Sequence, residues 1–286
     1  MKKYTGSNFV FLVGAPRSGT TWLQYLLASH PEIQSGRESY VFSKICLVHQ
    51  EWHKTRKSGM GMASYQTAEE FMSNLFDFEE RQLDALTKNL KPGQILLEKT
   101  PAHALYVPQI AWFLPEARFI HIMRDGRDVV ASLMAAGNSW GEDWAPTSAR
   151  RAARIWKRHV QAVDDAKTKL KPHQFLEVRY EALLEDTARE LRRCIDFIGL
   201  PWPEEALRQA VAANTSEQMR AGNGKALTVS GELAKSTAKA LPDGFVRKAK
   251  SGAWREDLSL AQRFQVWRVA RKTLGKFGYA WPLFFL

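Results

Sequence analysis

The sequence contains little cysteine, with Cys46 and Cys194 as the only two among its 286 residues. Two cysteines this far apart provide neither a disulfide framework nor the ligand spacing of a metal site. The sequence therefore predicts a protein of a reducing compartment, and we expect a cytoplasmic location and no bound metal.

Long hydrophobic runs are also missing. The apolar stretch Phe9–Val13 near the N-terminus leads directly into Pro16-Arg17-Ser18-Gly19. It is far shorter than the roughly 18 apolar residues of a transmembrane helix, and it lacks the shape of a signal peptide. We therefore expect no transmembrane segment.

Acidic residues are in the minority. The chain has 41 Lys and Arg against 30 Asp and Glu, a formal net charge of +11 and a pI near 9.7. This excess favours an anionic partner, which could be nucleic acid, an anionic membrane surface or a phosphorylated small molecule. Nucleic acid is disfavoured because the basic residues are spread along the chain, with no basic tail and no recognisable nucleic-acid module.

Strand and helix patterns alternate along the chain. Strand, glycine loop and helix, in that order, are the opening of a βαβ nucleotide fold. The alternation predicts an α/β protein with a P-loop-like three-layer α/β/α arrangement and a central, mostly parallel sheet. The predicted strands cover residues 8–14, 94–98, 118–123 and 174–179, and the predicted helices cover residues 20–29, 67–89, 146–170 and 181–198.

No linker or internal repeat divides the chain, so we expect one domain over residues 1–286. Residues 35–91 are interpreted as an insertion on the acceptor side of the site, with a turn or loop at 52–64. Residues 221–244 are rich in Gly, Lys, Ser and Ala and have no periodicity. This composition favours a mobile lid there.

The loop after the first strand has the glycine spacing of a Walker A loop, with Gly14 and Gly19 separated by four residues. Such a loop wraps backbone N–H groups around an anion at a helix N-terminus. In kinases and GTPases a Lys follows the second glycine and contacts the β and γ phosphates. Here that position is Thr20, and the cation comes earlier as Arg17. The change favours a donor with less charge than a triphosphate, handled without a metal.

The run Gly14-Ala-Pro-Arg-Ser-Gly-Thr-Thr-Trp22 resembles the 5′-phosphosulfate loop of the sulfotransferases that use 3′-phosphoadenosine 5′-phosphosulfate (PAPS). The resemblance implies that Trp22 stacks on the adenine, although a core aromatic on the inner face of the helix would occupy the same position. It also implies that the 5′-phosphosulfate is bound by Arg17 together with the amides and hydroxyls of Ser18, Gly19, Thr20 and Thr21.

Residues 118–132 form a strand that runs into a helix, with Arg124 at the junction and Ser132 two turns further on. A guanidinium can hold phosphate bidentately and a hydroxyl adds a directed hydrogen bond. The segment resembles the second signature of the family, which implies that Arg124 and Ser132 bind the 3′-phosphate. Arg127 and Asp128 are interpreted as structural ion pairs or helix caps.

Residues 245–255 resemble the C-terminal F-x-R-K-G-x-x-G-x-W segment of cytosolic sulfotransferases. The resemblance implies that Arg247 and Lys248 close over the 3′-phosphate, whereas in isolation the segment would be a solvated basic turn. Ala249 replaces the family glycine, which has no consequence if its φ is negative.

Two more segments resemble family features. Residues 175–186 resemble the strand that carries a Tyr against the adenine, which implies this role for Tyr180. Residues 214–219 resemble a T-S-x-x-x-M segment, although Glu217 stands where the family has Phe. This match implies a donor contact for Thr215.

The chemistry requires an in-line nucleophile, a base and positive charge near the breaking S–O bond. The segment Glu98-Lys99-Thr100-Pro101 resembles the E-K-[ST]-P of heparan-type sulfotransferases and the K-T of the cytosolic ones. The resemblance implies that Lys99 stabilises the transferred sulfuryl group, at the strand end where ligands bind in open α/β sheets.

The base is less evident from the sequence. Glu38 follows the first helix, where carbohydrate and tyrosylprotein sulfotransferases place a glutamate base, and it is the preferred candidate over His103. His103 comes four residues after Lys99, whereas the cytosolic family has its His two residues after the Lys. His49 and His53 remain further alternatives.

We therefore expect PAPS as co-substrate, adenosine 3′,5′-bisphosphate (PAP) as product, and a hydroxyl or amine of a small-molecule or glycan acceptor. A homodimer is left open. The alternatives are a P-loop nucleotide kinase or NTPase, whose loop Lys is missing, and a non-catalytic PAPS-binding protein. Five aromatic residues are candidates either for an apolar acceptor wall or for the core, namely Trp52, Phe71, Phe76, Trp140 and Trp144.

Overall fold

The computed structural model describes residues 3–221, 242, 244–279 and 281. Its centre is a five-stranded, all-parallel sheet with the order β2-β3-β1-β4-β5. All four strands predicted from the sequence are confirmed, and a short strand of three residues joins them at the edge. The strands are β1 Phe9–Val13, β2 Ile33–Ser35, β3 Ile95–Lys99, β4 Arg118–Met123 and β5 Phe175–Arg179.

Helices connect the strands and cover the sheet. Short 3-10 helices lie at Arg56–Ser58, Gly61–Ser64, Pro101–Leu105 and Pro172–Gln174. The α-helices of the described residues are α1 Thr20–Leu27, α2 Val41–Thr55, α3 Ala68–Thr87, α4 Val107–Phe113, α5 Gly126–Gly137, α6 Ala149–Lys167, α7 Tyr180–Glu185, α8 Thr187–Ile198, α9 Glu204–Ala213, α10 Ser216–Arg220, α11 Trp254–Asp257 and α12 Leu260–Lys276.

Both faces of the sheet are buried, because successive side chains of β1 enter two different hydrophobic clusters. Phe9 and Phe11 pack with residues of α2, α3 and α4 on one face. Val10 and Leu12 pack with residues of α1, α8 and α9 on the other. A parallel strand buried on both sides has a continuously apolar sequence, as β1 has. The predicted three-layer α/β/α architecture is confirmed.

Two local predictions were wrong. The helix predicted over residues 181–198 is divided into α7 and α8, because the side chain of Asp186 accepts a hydrogen bond from the Arg189 amide and caps a new helix. Residues 52–64 are not a loop, since α2 continues to Thr55 and two 3-10 helices follow. The predicted lid at 221–244 lies almost entirely outside the described residues.

The strand order places the site. The chain leaves β1 for β2 and β3 on one side of the sheet and then returns to β4 on the other side. A crevice opens at the carboxyl ends of the strands at such a switch point, and ligands of open α/β sheets bind there. None of the helices within the described part of the chain is sufficiently long and apolar to cross a membrane.

Candidate active site

A cavity of about 340 Å³ lies beside the carboxyl ends of β1, β3 and β4. Its walls come from the loop between β1 and α1, from segments that follow β2, β3 and β4, and from residues 245–249. Most of the residues predicted from the sequence line it, namely Arg17, Gly19, Thr20, Thr21, Trp22, Glu38, Arg124, Ser132, Tyr180, Arg247 and Lys248.

The loop between β1 and α1 is closely packed at both of its glycines and leaves the start of α1 without a side-chain cap. Gly19 has φ 99°, and a Cβ there would lie 2.5 Å from the Tyr180 ring. A Cβ on Gly14 would lie 2.6 Å from the carbonyl oxygen of Ile122. No side chain caps the N-terminus of α1, so its backbone N–H groups are available to a ligand. The Ser18 hydroxyl is buried beside them without a hydrogen-bond partner in the protein, so it is free to donate to a bound group.

Arg17 lines the cavity and reaches across to α5 and to residue 245. Its Nε donates to the Ser132 hydroxyl at 3.1 Å, and its guanidinium lies 4.5 Å from the Phe245 ring centre and 5.1 Å from that of Trp140. Burial and the nearby charges of Arg124 and Arg247 lower the pKa of Arg17 to about 10. The loop cation therefore contacts the hydroxyl that was assigned to the other phosphate.

Arg124 lines the cavity beside Arg17. Its guanidinium lies 4.1 Å from the Tyr180 ring centre and donates to the carbonyl oxygens of Arg17, at 3.3 Å, and Lys250, at 3.1 Å. Its Nε is buried without a partner. This guanidinium spends its hydrogen bonds on carbonyl oxygens and leaves its Nε unused, so this part of the wall also suits an anion.

Trp22 and Tyr180 form an aromatic corner of the cavity, with ring centres 5.9 Å apart and an edge-to-face orientation. The Trp22 indole N–H donates to the carbonyl of Asn214 at 2.8 Å, which fixes the ring. Trp22 also packs against the hydrophobic cluster of α1 and α8, so the ring both contacts the core and lines the cavity. The corner offers the flat apolar surface that a purine ring needs.

Residues 245–249 complete the wall. Arg247 pairs with Asp257 at 2.6 Å, and Lys248 pairs with Asp257 at 2.7 Å and with Glu256 at 2.9 Å. These cations therefore have carboxylate partners as well as a place on the cavity wall. Ala249 has φ 49°, so the condition under which alanine could replace the family glycine without consequence is not met.

The carboxylate of Glu38 lies between two donors. Its Oε1 accepts from Lys99 Nζ at 2.6 Å, and its Oε2 accepts from the Tyr40 hydroxyl at 2.6 Å. Burial and the Glu38 charge raise the pKa of Tyr40, which therefore stays protonated and donates. The Lys99 side chain is 7% exposed, and Glu38 at 29% exposed is the member that faces the cavity.

His103 is in a different environment. It is completely buried, its ring lies against Phe11 and Phe42, and its Nδ1 is 2.8 Å from Glu98 Oε2. It does not line the cavity, so it cannot reach an acceptor there in this arrangement. His49 and His53 lie on α2 with their Nε2 atoms 3.0 Å apart, and they too are away from the cavity wall.

Some predicted residues are displaced from the wall by one position or by packing. Thr215 is exposed and caps α10 by accepting from the Gln218 amide, whereas its neighbour Ser216 lines the cavity. Trp52 and Phe71 stack on each other at 4.2 Å within the core. Among the aromatic residues considered for the acceptor wall, Trp140 and Trp144 line the cavity.

Arg127 and Asp128 have the structural roles expected of them. Arg127 pairs with Asp125 at 2.7 Å. Asp128 is fully buried and accepts from the backbone amides of Gly252 at 2.8 Å and Trp254 at 2.9 Å. Asp128 thus fastens the segment after Lys250 to α5.

The contributions of Phe245, Ser216 and Tyr40 to the wall were not predicted, because they depend on loop packing. In residues 3–221, 242, 244–279 and 281, no three His, Cys, Asp or Glu side chains are grouped so that they could hold a metal ion.

The fold is a parallel α/β sheet with a P-loop-like glycine loop, and a cavity lined by several arginines lies at the carboxyl ends of its strands. The sequence model of the sulfotransferase family matches residues 10–204, well over half of the chain. This chain therefore belongs to the sulfotransferase family.

Curated relatives are protein-tyrosine sulfotransferases. The chain is 26% identical to protein-tyrosine sulfotransferase 1 of Danio rerio over 202 residues, which cover 69% of this chain and 55% of that protein. It is 25% identical to the protein-tyrosine sulfotransferase of Drosophila melanogaster over 199 residues, which cover 69% of this chain and 39% of that protein. The chain spans about half the length of the curated relatives it matches.

Solved structures share the fold over nearly the whole chain. A mouse sulfotransferase complexed with PAP has a TM-score of 0.61 at 14% identity, covering 96% of this chain and 87% of that one. The sulfotransferase domain from the curacin biosynthetic pathway also has a TM-score of 0.61, at 20% identity, covering 98% of this chain and 100% of that one. These identities are low, so the likeness concerns the fold.

Proposed function

We propose that this chain transfers a sulfuryl group from PAPS to a hydroxyl or amine of an acceptor. The observation that carries the proposal is that a single cavity joins a buried cation cluster, built from Arg17 and Arg124, to the Glu38–Lys99 pair. The complex of a mouse sulfotransferase with PAP supports the choice of donor.

The donor would be held at both of its phosphates. The α1 N-terminus and the Ser18 hydroxyl suit the 5′-phosphosulfate, because they offer donors and partial positive charge without a protein partner. Arg124 and Ser132 suit the 3′-phosphate. Arg17 touches Ser132 and belongs to the 5′ loop, so it can serve either phosphate. The Trp22–Tyr180 corner would take the adenine.

The proposed reaction is an in-line displacement at sulfur. The acceptor oxygen or nitrogen attacks, its bond to sulfur forms, and the bond between sulfur and the bridging oxygen of the 5′-phosphate breaks, with the electron pair leaving on PAP. Glu38 accepts the acceptor proton. Once Glu38 is neutral it attracts Lys99 less, which leaves the ammonium to stabilise charge on the sulfuryl oxygens.

The acceptor is the finer part of the proposal. A small molecule or a glycan was expected, and the names of the curated relatives support adding a tyrosine peptide. Residues 35–91 contribute Glu38 and Tyr40 to the cavity, which supports their role on the acceptor side.

A cytoplasmic location remains a proposal that agrees with two free, buried cysteines. A single domain and a homodimer also remain predictions.

The test is transfer of label from ³⁵S-PAPS to a phenol, a tyrosine peptide, a primary alcohol, an amine and a heparan oligosaccharide. We expect labelled product with at least one of them and stoichiometric PAP. Tight PAP binding without any transfer would indicate a non-catalytic binding protein. Magnesium-dependent turnover of ATP, with no transfer from PAPS, would instead indicate a P-loop kinase or NTPase.

A further inference from the structure

The loop that carries Glu38 runs beside the end of β3, and consecutive residues of the two segments are paired. Glu38 Oε1 is 2.6 Å from Lys99 Nζ, and the Ser39 hydroxyl donates to Glu98 Oε1 at 2.7 Å. The Tyr40 amide lies 3.5 Å from the hydroxyl of Thr100, the residue that follows β3. The Glu38–Lys99 pair at the cavity therefore lies next to the Ser39–Glu98 hydrogen bond in the interior.

Glu98 is the most heavily bonded carboxylate of this region. Its side chain is 4% exposed, and it accepts from the Ser39 amide at 3.3 Å, the Ser39 hydroxyl at 2.7 Å, the Thr100 hydroxyl at 2.7 Å and His103 Nδ1 at 2.8 Å. Burial raises the pKa of Glu98, but His103 and the two hydroxyl groups outweigh it and lower the pKa to about 2. Glu98 is therefore an ionised acceptor with its bonds fixed.

The loop is also held at its start, where Gln24 Nε2 donates to the Gly36 carbonyl at 2.8 Å. Tyr40 precedes α2 in a left-handed conformation, with φ 54°, and its own side chain does not cap the helix. The Ser39 hydroxyl also accepts from the Val41 amide at 3.3 Å. Ser39 is thus the point at which the loop is fastened both to β3 and to α2. Glu38 is the residue immediately before this point.

We propose that Glu98 is a positioning residue, which through Ser39 holds Glu38 in contact with Lys99 in the geometry that accepts the acceptor proton. The inference rests on the proposed function. Glu98 does not line the cavity and touches no reactant, so it acts through Glu38. The Phe11 and Phe42 rings pack against His103 and fix the interior side of the hydrogen-bond network around Glu98. The hydrogen bond to Ser39 connects this network to the loop that carries Glu38 on the cavity side.

A purely structural Glu98 would predict a different result. Loss of a buried hydrogen-bond network would lower stability and the amount of folded enzyme, and the kcat of the folded fraction would not change. A positioning role instead predicts a lower kcat at saturating substrates with little change in PAP binding, because a displacement on the order of 1 Å can cost about 100-fold in rate.

The experiment is a double-mutant cycle read by kcat, with ³⁵S-PAPS and whichever acceptor probe is labelled fastest. We expect Glu98→Gln to lower kcat roughly 10- to 100-fold, with the Kd for PAP within about 2-fold of wild type. In the Glu98→Gln/Glu38→Gln double variant, kcat should equal that of Glu38→Gln alone, because a base that is absent cannot be mispositioned. Glu190→Gln, at a buried carboxylate on α8, is the matched control and should keep wild-type kcat.

Ser39→Ala provides a second variant if Glu98→Gln does not fold, since it removes one hydroxyl from the same network. It should lower kcat in the same way, with PAP binding retained and the effect absent in the Glu38→Gln background. Effects that multiply in the double variants, or an unchanged kcat in both single variants, would overturn the inference. A wild-type enzyme that transfers label to none of the probes would overturn the proposed function itself, and the inference with it.

Discussion

Replacement of Glu38 by Gln is the most informative perturbation of the chemistry. Gln keeps the shape and one acceptor oxygen, so either the Tyr40 or the Lys99 hydrogen bond can persist, but the negative charge is lost. A positioned general base contributes about 10²- to 10⁴-fold to a rate, and we expect kcat to fall by an amount in that range. The Kd for PAP should stay within about 2-fold of wild type, because Glu38 is not among the residues proposed to contact the nucleotide.

The stability cost can be separated from this loss. Lys99 has a side chain 7% exposed and would lose its counter-charge, whereas Glu38 at 29% exposed is partly screened by water. Loss of a partner costs about 3–5 kcal/mol for a buried pair and about 1 kcal/mol or less for an exposed one, so we expect roughly 1–2 kcal/mol here. A drop in Tm of a few degrees would leave the enzyme folded at the assay temperature.

The assay is steady-state transfer from ³⁵S-PAPS at saturating acceptor, with Glu51→Gln as the control. Glu51 and Lys54 also form a Glu–Lys pair, at 3.5 Å, but with side chains 63% and 78% exposed and away from the cavity. The control should behave as wild type. If Glu38→Gln keeps full turnover while His103→Ala abolishes it, the assignment of the base is refuted and the roles of these two residues must be exchanged.

Four further outcomes are expected. Arg17→Ala should weaken PAP binding about 10- to 100-fold by calorimetry, as expected for lost charge-assisted hydrogen bonds, and an unchanged Kd would contradict the donor site. Ala249→Gly should raise the free energy of unfolding in urea by roughly 0.5–1 kcal/mol, because the left-handed φ of 49° strains a Cβ, and a decrease would count against that strain. Asp128→Asn should lower it by about 1–3 kcal/mol, because an amide N–H₂ would face the backbone donors of 252–254, and an unchanged unfolding midpoint would be inconsistent with this. The folded-state pKa of Glu98, about 2, lies below the ordinary 4.5, so its stabilisation is present above pH 4.5 and is lost as the pH falls towards 2. The difference in the free energy of unfolding between wild type and Glu98→Gln should decrease to near zero over that pH range. A difference that does not change with pH would argue against an ionised Glu98.

Much of the fold could be predicted because it depends on local patterns. The continuously apolar β1 and the glycine loop after it define the centre of a parallel sheet, and both were visible in the sequence. Strand β2 was missed, since three residues with Gln34 in the middle carry no periodicity. The break between α7 and α8 was missed because a capping Asp186 followed by an apolar periodic run also fits a continuous helix.

Charge and spacing in the sequence pointed to Arg124 and Ser132, which line the cavity, and to Lys99, which pairs with Glu38 on the cavity wall. The roles assigned to these three residues stay predictions. The site was not predictable where packing decides. His103 and Glu38 were both plausible bases in the sequence, and only the fold shows one buried against Phe11 and the other facing the cavity. The same limit applies to Glu98, whose partners come from two segments that meet only in the folded sheet.

The central claim is that the protein binds one adenosine nucleotide at both its 5′- and its 3′-phosphate. A comparison of the binding affinities of two nucleotides tests this claim most directly. Calorimetry with PAP and with adenosine 5′-monophosphate should show that wild type binds PAP about 100-fold or more tightly, since the 3′-phosphate adds charge-assisted contacts. The Arg124→Ala variant should lose most of this preference while keeping the weaker affinity for the monophosphate. Equal binding of the two nucleotides by wild type, or a preference that survives in Arg124→Ala, would contradict the account.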